Sequence, residues 1–433
     1  MAIFAPITSL CMDKKDLEIM APAGSFECLM AAIEGGADSV YFGVGKLNMR
    51  SHSAGNFRMG DLGEIVRICH ANGVKTYLTL NIVLYEDDLA PMRELLSAAK
   101  DAGVDAVIAS DLAAISFCRE IALEVHASTQ LNISNIEALR FYSRFADVMV
   151  LARELTLRQV KAIHEAIVSE GIKGPSGDLV RIEMFAHGAL CMSVSGKCYL
   201  SLHGCGHSAN RGECYQLCRR GYLLTDLETG EELHLRNKYI LSPKDLCTIE
   251  FMDKIIDSGV RVFKIEGRAR SAEYVKRTAS CYRRAADAVC EGTFSKELAA
   301  GLKDDLAEVF NRGFWDGYYQ GARMVEWSEA YGSHATRRKV YCGKVTNWFD
   351  RIGVVEITME SGCMKTGDDF LVIGSTTGVY EGSVRELRVD LKGVDSVCKG
   401  EVCSLPVTFP EDWKGERRLR RGDRLYLWED SGE

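Results

Sequence analysis

Between residues 18 and 268 one local pattern recurs: a helical stretch ends at a Gly or Asp turn and passes at once into a short apolar run. It reads GADSVYFG at 36–43, HANGVKTYLTLN at 70–81, DAGVDAVIASD at 101–111, FADVMVLARE at 145–154 and DSGVRVFKIEGR at 257–268. Strands that alternate with helices pair in parallel, and unbroken apolar runs mark strands buried on both faces. Apolar runs near 18, 40, 76, 106, 123, 148, 182 and 262 give about eight strands, so the chain is expected to form an α/β (β/α)8 TIM-like barrel over 1–330. An open doubly wound sheet is the competing architecture, but no G-x-G-x-x-G follows the first strand, which leaves its dinucleotide-binding form without support.

Beyond 330 the texture changes. KVYCGKVTNWFDRIGVVEITM, GDDFLVIGSTTGVYEGSVREL and RLRRGDRLYLWE alternate short β-runs with Gly-Asp turns and keep no helical period. They predict a small antiparallel β-barrel domain over 335–433. Its GERRLRRGDR run (415–424) is the strongest basic cluster, either a solvated sheet edge or a face for RNA. The net charge of −8 argues against broad nonspecific binding to nucleic acid and leaves room for such a local patch.

The N-terminal residues show no basic stretch before their short apolar run, so no signal peptide or membrane segment is expected and the location is expected to be cytoplasmic. In a reducing compartment sixteen cysteines do not form a disulfide framework. Five of them fall within 183–218, at 191, 198, 205, 214 and 218, with Cys247 soon after, which points to thiolate ligation within an inserted segment, 185–247. Cys191, Cys198, Cys214 and Cys218 supply four ligands with irregular spacing and no C-x2-C knuckle, which favours an iron–sulfur cluster over tetrahedral zinc. His203 and His207 keep zinc open as an alternative. The scattered cysteines read as structural thiols.

Active sites of such barrels lie at the C-terminal ends of the strands. The sequence places there Asn48, Arg50, Asn56, Asn81, Ser110, Asp111, His126, Ser128, Thr129, Gln130, Asn132, Arg153, Glu154, His187, Glu266 and Arg268. Singly each is explained by a cap or loop hydrogen bond; together they are expected to line one cavity. Arg50, Arg153 and Arg268 suit a small substrate bearing carboxylates, because guanidinium forks bind carboxylate bidentately.

EMFAHGALCMSVSGKCYLS (183–201), with APAGSFECLMAAIEGGADSVYFG, HASTQLNISN, ARELTL and KIEGRARSAEYV, resembles the collagenase-type peptidases of unassigned mechanism along essentially the whole chain. Within that family the chain is most similar to the prephenate-dependent tRNA uridine hydroxylases. Their β-rich C-terminal module resembles the second domain of translation elongation factors. The resemblance implies an oxygen-independent conversion of wobble uridine to 5-hydroxyuridine, with prephenate as co-substrate and tRNA as partner. It implies a [4Fe-4S] cluster on Cys191, Cys198, Cys214 and Cys218, with Cys247 competing for the fourth position. Arg50, His126, Gln130, Arg153, Glu266 and Arg268 become the candidate catalytic residues. The sibling activity is ribosomal RNA cytidine hydroxylation. A peptidase would need a dyad such as Cys191 with His187; HExxH, the zinc-peptidase helix, does not occur.

Overall fold

The computed structural model describes residues 13–52, 55–194, 197–232, 239–322, 324–329, 332–411 and 413–431. The N-terminal residues in which no signal peptide was expected, Cys11 among them, lie outside the described residues, as does Gly196 between two clustered cysteines.

Among the described residues ten strands build and flank the first unit: β1 (Glu18–Ala23), β2 (Ser39–Phe42), β3 (Lys75–Leu80), β4 (Ala106–Ala109), β5 (Glu124–Ala127), β6 (Val148–Val150), β7 (Arg181–Ala189), β8 (Asp245–Cys247), β9 (Val260–Ile265) and the short β10 (Phe314–Trp315), which pairs in parallel with β8. From β1 to β7 each strand runs parallel to the next. β9 is parallel to both β7 and β1 and closes an eight-stranded barrel. β8 is no stave of it: it lies antiparallel on the last residues of β7, with His187 opposite Cys247. The register of β7 against β9 shifts between Phe185 and His187, a bulge that turns the end of β7 away from the barrel and onto β8.

Local chemistry sets the elements between the strands. Ser25 caps the helix Phe26–Glu34 by accepting from the Cys28 N–H, and Thr156 with Gln159 forms a capping box on the helix Leu157–Glu170. Gly103 and Gly171 end their helices in the left-handed conformation that glycine takes without a Cβ penalty.

The barrel interior is small and charged. Met20, Tyr41, Tyr77, Ala106, Ile108, Val148 and Val262 form its apolar cluster. Around them Tyr77 donates to Glu18 at 2.7 Å, and the Lys264 ammonium to Glu183 at 2.8 Å. The main apolar core lies between the strands and their helices.

The strands after 336 are antiparallel, in an eight-stranded sheet and a separate pair, with a core that includes Val345, Ile357, Phe370, Val372 and Leu405. Two cysteines read as separate structural thiols, Cys363 and Cys398, face each other across that pair and are joined by a disulfide. Leu371, Ile373 and Val379 of this unit belong to the barrel's own core, where the Val379 N–H donates to Glu34 at 3.0 Å. The two units therefore share apolar surface. Among the described residues no helix is long and apolar enough to cross a membrane.

Candidate functional site

At the C-terminal ends of the strands lies a cavity of about 210 Å³. Arg50 comes from the loop after β2, Thr79 and Asn81 from the end of β3, Ser128, Thr129 and Gln130 from the end of β5, and Arg153 from the end of β6. Lys264 lies on β9, and Glu266 and Arg268 follow it.

Arg50 Nη2 donates to Glu266 Oε1 at 2.6 Å, closing the cavity between two loops. Burial works against the Glu266 charge, but Arg50, with Arg268 and Arg153, holds its pKa below the ordinary carboxylate value. Arg268 is 4% exposed and donates to Thr79 Oγ1 at 2.9 Å and Asn48 Oδ1 at 2.7 Å. Burial lowers its pKa to about 10, so it remains a cation at neutral pH. Its route depends on Gly43: a Cβ there would stand 2.2 Å from Arg268 Nη1. Arg153 lies over the Phe185 ring at 5.4 Å, and its buried Nε has no hydrogen-bond partner among the described residues.

The same cavity is lined by Cys191, Cys198, Cys214 and Cys218, all contributed by the long crossover between β7 and β9. That crossover is seated on the loop after β2 through Gly212 (φ 88°), where a Cβ would lie 2.3 Å from Ser51 Oγ. Gln216, left-handed at φ 52°, turns the chain between Cys214 and Cys218. Burial raises the pKa of Cys218, and the other three thiols add to that rise. Cys191 is held below the ordinary thiol value: burial opposes ionisation, but Arg153, Ser193 and Arg50 outweigh it.

Cationic charge is in surplus. Arg219, Arg270 and Arg312 also line the cavity, and Arg312 pairs with the Asp245 carboxylate at 3.2 Å. Among the described residues Arg153, Arg219, Arg268 and Arg270 have no ion pair. A buried cation without a counter-charge is costly, so this wall fits anions. Sequence reading missed Lys264, Arg219, Arg270 and Arg312; Arg270 sits only two residues after Arg268, within KIEGRAR.

Other expected members lie elsewhere. His126, on β5, lies two residues before Ser128, which follows that strand, and its ring packs at a tilt against Tyr77 at 4.4 Å between centroids instead of facing the cavity. Burial disfavours charge on it, yet Glu124 and Glu183 raise its pKa above the usual histidine value. His187, carried outward by the bulge in β7, sits among Tyr274, Tyr282 and Phe314, and burial lowers its pKa to about 3. It does not line the cavity that holds Cys191. Asn48 stands behind the wall, bonded to Arg268. Asn56, Asn132 and Glu154 do not line the cavity.

Cys247, the competitor for the fourth ligand position, is buried 3.9 Å from the Tyr282 hydroxyl and does not line the cavity; nor does Cys205. His207 is bound to Glu213 at 3.0 Å, and neither it nor His203 lines the cavity. Among the described residues no three His, Cys, Asp or Glu side chains converge as a chelate for a single metal ion. A cubane asks for something different, one thiolate on each of four separated irons, and four thiols around one cationic cavity fit that demand.

Ser110 and Asp111 line an adjoining cavity of about 320 Å³, which shares Met49, Asn81 and Gln130 with the first. On the C-terminal unit a third cavity, about 440 Å³, is lined by Thr346, Asn347, Trp348, Glu356 and residues 418–421, and shares no residue with the thiol site.

Against known proteins, the chain is 56% identical over 418 residues to a protein named collagenase from Porphyromonas gingivalis W83, covering 96% of this chain and 99% of that protein. It is 32% identical to tRNA hydroxylation protein P1 of Bacillus subtilis 168, covering 83% of this chain and 84% of that protein. It is 40% identical to the 23S rRNA 5-hydroxycytidine C2501 synthase of Escherichia coli K12, over 71% of this chain and 46% of that longer protein. The profile of Peptidase family U32 matches residues 24–329, a span that holds every barrel strand after β1 and all four cavity thiols, and the chain belongs to that family.

Proposed function

We propose that the protein is an oxygen-independent RNA hydroxylase that converts the wobble uridine of tRNA to 5-hydroxyuridine, using prephenate and a [4Fe-4S] cluster. The observation that carries this reading is the meeting, in one cavity, of four thiols with four guanidiniums that lack a carboxylate partner among the described residues. The relatives named for tRNA and rRNA hydroxylation support the RNA substrate, and the tRNA relative matches over the larger share of its own length.

Cys191, Cys198, Cys214 and Cys218 would hold the cluster, which supplies redox or Lewis-acid chemistry when bound. The chain's own residues do the rest. Arg153 and Arg268 offer forked donors to the carboxylates of prephenate, and Arg50 fixes the third edge while tied to Glu266. Glu266, kept ionised by its arginine neighbours, serves as an acceptor on the wall. Gln130 stands where the thiol cavity meets its neighbour.

The peptidase reading rests on the names of the P. gingivalis relative and of the family. His187, the base that a Cys191 dyad would need, is withdrawn into an aromatic box. Deleting the gene in its host and measuring tRNA nucleosides by mass spectrometry tests the proposal: 5-hydroxyuridine and its derivatives fall. Their persistence with loss of ribosomal hydroxycytidine supports the sibling activity, and loss of a peptide-hydrolysing activity alone restores the peptidase.

A further inference from the structure

The adjoining cavity has the makings of a base-reading site. Its wall carries two amide side chains with unused capacity. Asn210 Oδ1 is buried without a hydrogen-bond partner among the described residues. Gln130 Oε1 accepts from Ser128 and Asn81, while its Nε2 makes no hydrogen bond among the described residues. Asp111, by contrast, is already committed, accepting from the Leu84 and Ala113 N–H groups. Asn210 is itself fixed in place, because its carbonyl accepts from the Val83 N–H at 3.1 Å.

The lining also includes Tyr199, 63% exposed, with exposed Lys197 two residues before it. An outward aromatic face beside an ammonium suits a base stacked next to its phosphate. An acceptor and a donor without partners among the described residues, both lining one cavity, suit the Watson–Crick edge of that base. The cavity adjoins the thiol site at Met49, Asn81 and Gln130, so a base held there would lie beside the thiols and arginines.

We propose that this vestibule receives the target pyrimidine, turned out of its RNA strand, with Asn210 and Gln130 reading its edge and Tyr199 stacking on it. The proposal rests on the RNA-hydroxylase reading and adds to it the place where the base is recognised.

The test is fluorescence anisotropy with full-length protein and two labelled RNA stem-loops, identical except that one loop uridine is replaced by an abasic site in the second. Wild type is expected to bind the uridine form about ten-fold more tightly. Tyr199→Ala and Asn210→Leu are each expected to erase that margin while leaving the abasic form bound as before, which also reports that the variants are folded. Equal weakening of both stem-loops, or no weakening by either variant, overturns the vestibule. If wild type binds both stem-loops equally, the base is not read and the inference falls while RNA binding stands; if it binds neither, the RNA reading falls with it.

Discussion

Arg50 and Glu266 meet at 2.6 Å across the mouth of the barrel, so the loop after β2 and the loop after β9 are joined by one charge-assisted hydrogen bond. Arg50→Ala leaves a largely buried carboxylate unpaired and is expected to cost about 1–3 kcal/mol of stability. Arg50→Ala/Glu266→Ala is expected to recover part of that loss in chemical denaturation, because no orphaned charge remains. Strictly additive losses would show that the pair is not coupled.

Arg153 differs from Arg50 in having no ion pair among the described residues. Its replacement by Ala therefore breaks no carboxylate contact in the free protein. Calorimetry is expected to show prephenate binding weakened by about 1.5–3 kcal/mol with little change in melting temperature. Unchanged affinity would remove Arg153 from the co-substrate site.

Glu34 lies at the junction of the two units, accepting from the Val379 N–H at 3.0 Å with Lys276 at 3.6 Å. Burial pushes its pKa up to about 8 despite Lys276. A carboxyl whose folded pKa is raised binds its proton more tightly in the folded state, so its ionisation costs stability. That cost begins as pH rises past the unfolded value of 4.5 and grows until the folded value near 8 is passed. Glu34→Gln is expected to flatten the fall in melting temperature over this window. Parallel profiles for the two proteins would show that Glu34 ionises freely in the fold.

The basic run of the C-terminal unit is smaller in space than in sequence. Arg420 pairs with Glu416, Arg417 donates to the Glu411 carbonyl at 2.7 Å, and Arg424 lies 3.7 Å from Glu27. Arg418 and Arg421, on the cavity beside Trp348, have side chains without such partners among the described residues. Each, changed to Ala, is expected to weaken tRNA binding and to lower the slope of log affinity against log salt by about 1. An unchanged slope in both variants would place the RNA elsewhere.

The barrel was legible because its signal is repeated: each Gly or Asp turn before an apolar run marks a strand, and all eight staves fall where those runs do. Of the cavity arginines, Arg50, Arg153 and Arg268 are legible because they follow strand ends, whereas Arg219, Arg270 and Arg312 are not read from the sequence. What sequence could not supply is depth and direction along a strand. His126 on β5 and Ser128 just after it lie two residues apart, and only the layer each occupies separates a residue in the interior from one on the cavity. His187 carries the strand-end signal as well, but a register shift in β7 that no residue type announces sends it outward. Cys218 is the expected fourth ligand with Cys247 as its competitor, and the turn at Gln216 with the antiparallel seat of β8 places the two apart. The change of texture at 330 marks new secondary structure, whereas Leu371, Ile373 and Val379 carry the barrel core across it.

The measurement closest to the central claim is an iron, zinc and acid-labile sulfide count on anaerobically purified protein, wild type beside single Cys→Ala variants. About four irons and four sulfides per chain are expected for a [4Fe-4S] cluster. They are lost in the variants of Cys191, Cys198, Cys214 and Cys218, and kept in those of Cys205 and Cys247. Stoichiometric zinc without sulfide, or a cluster that survives loss of Cys218 and fails with loss of Cys247, would contradict the account.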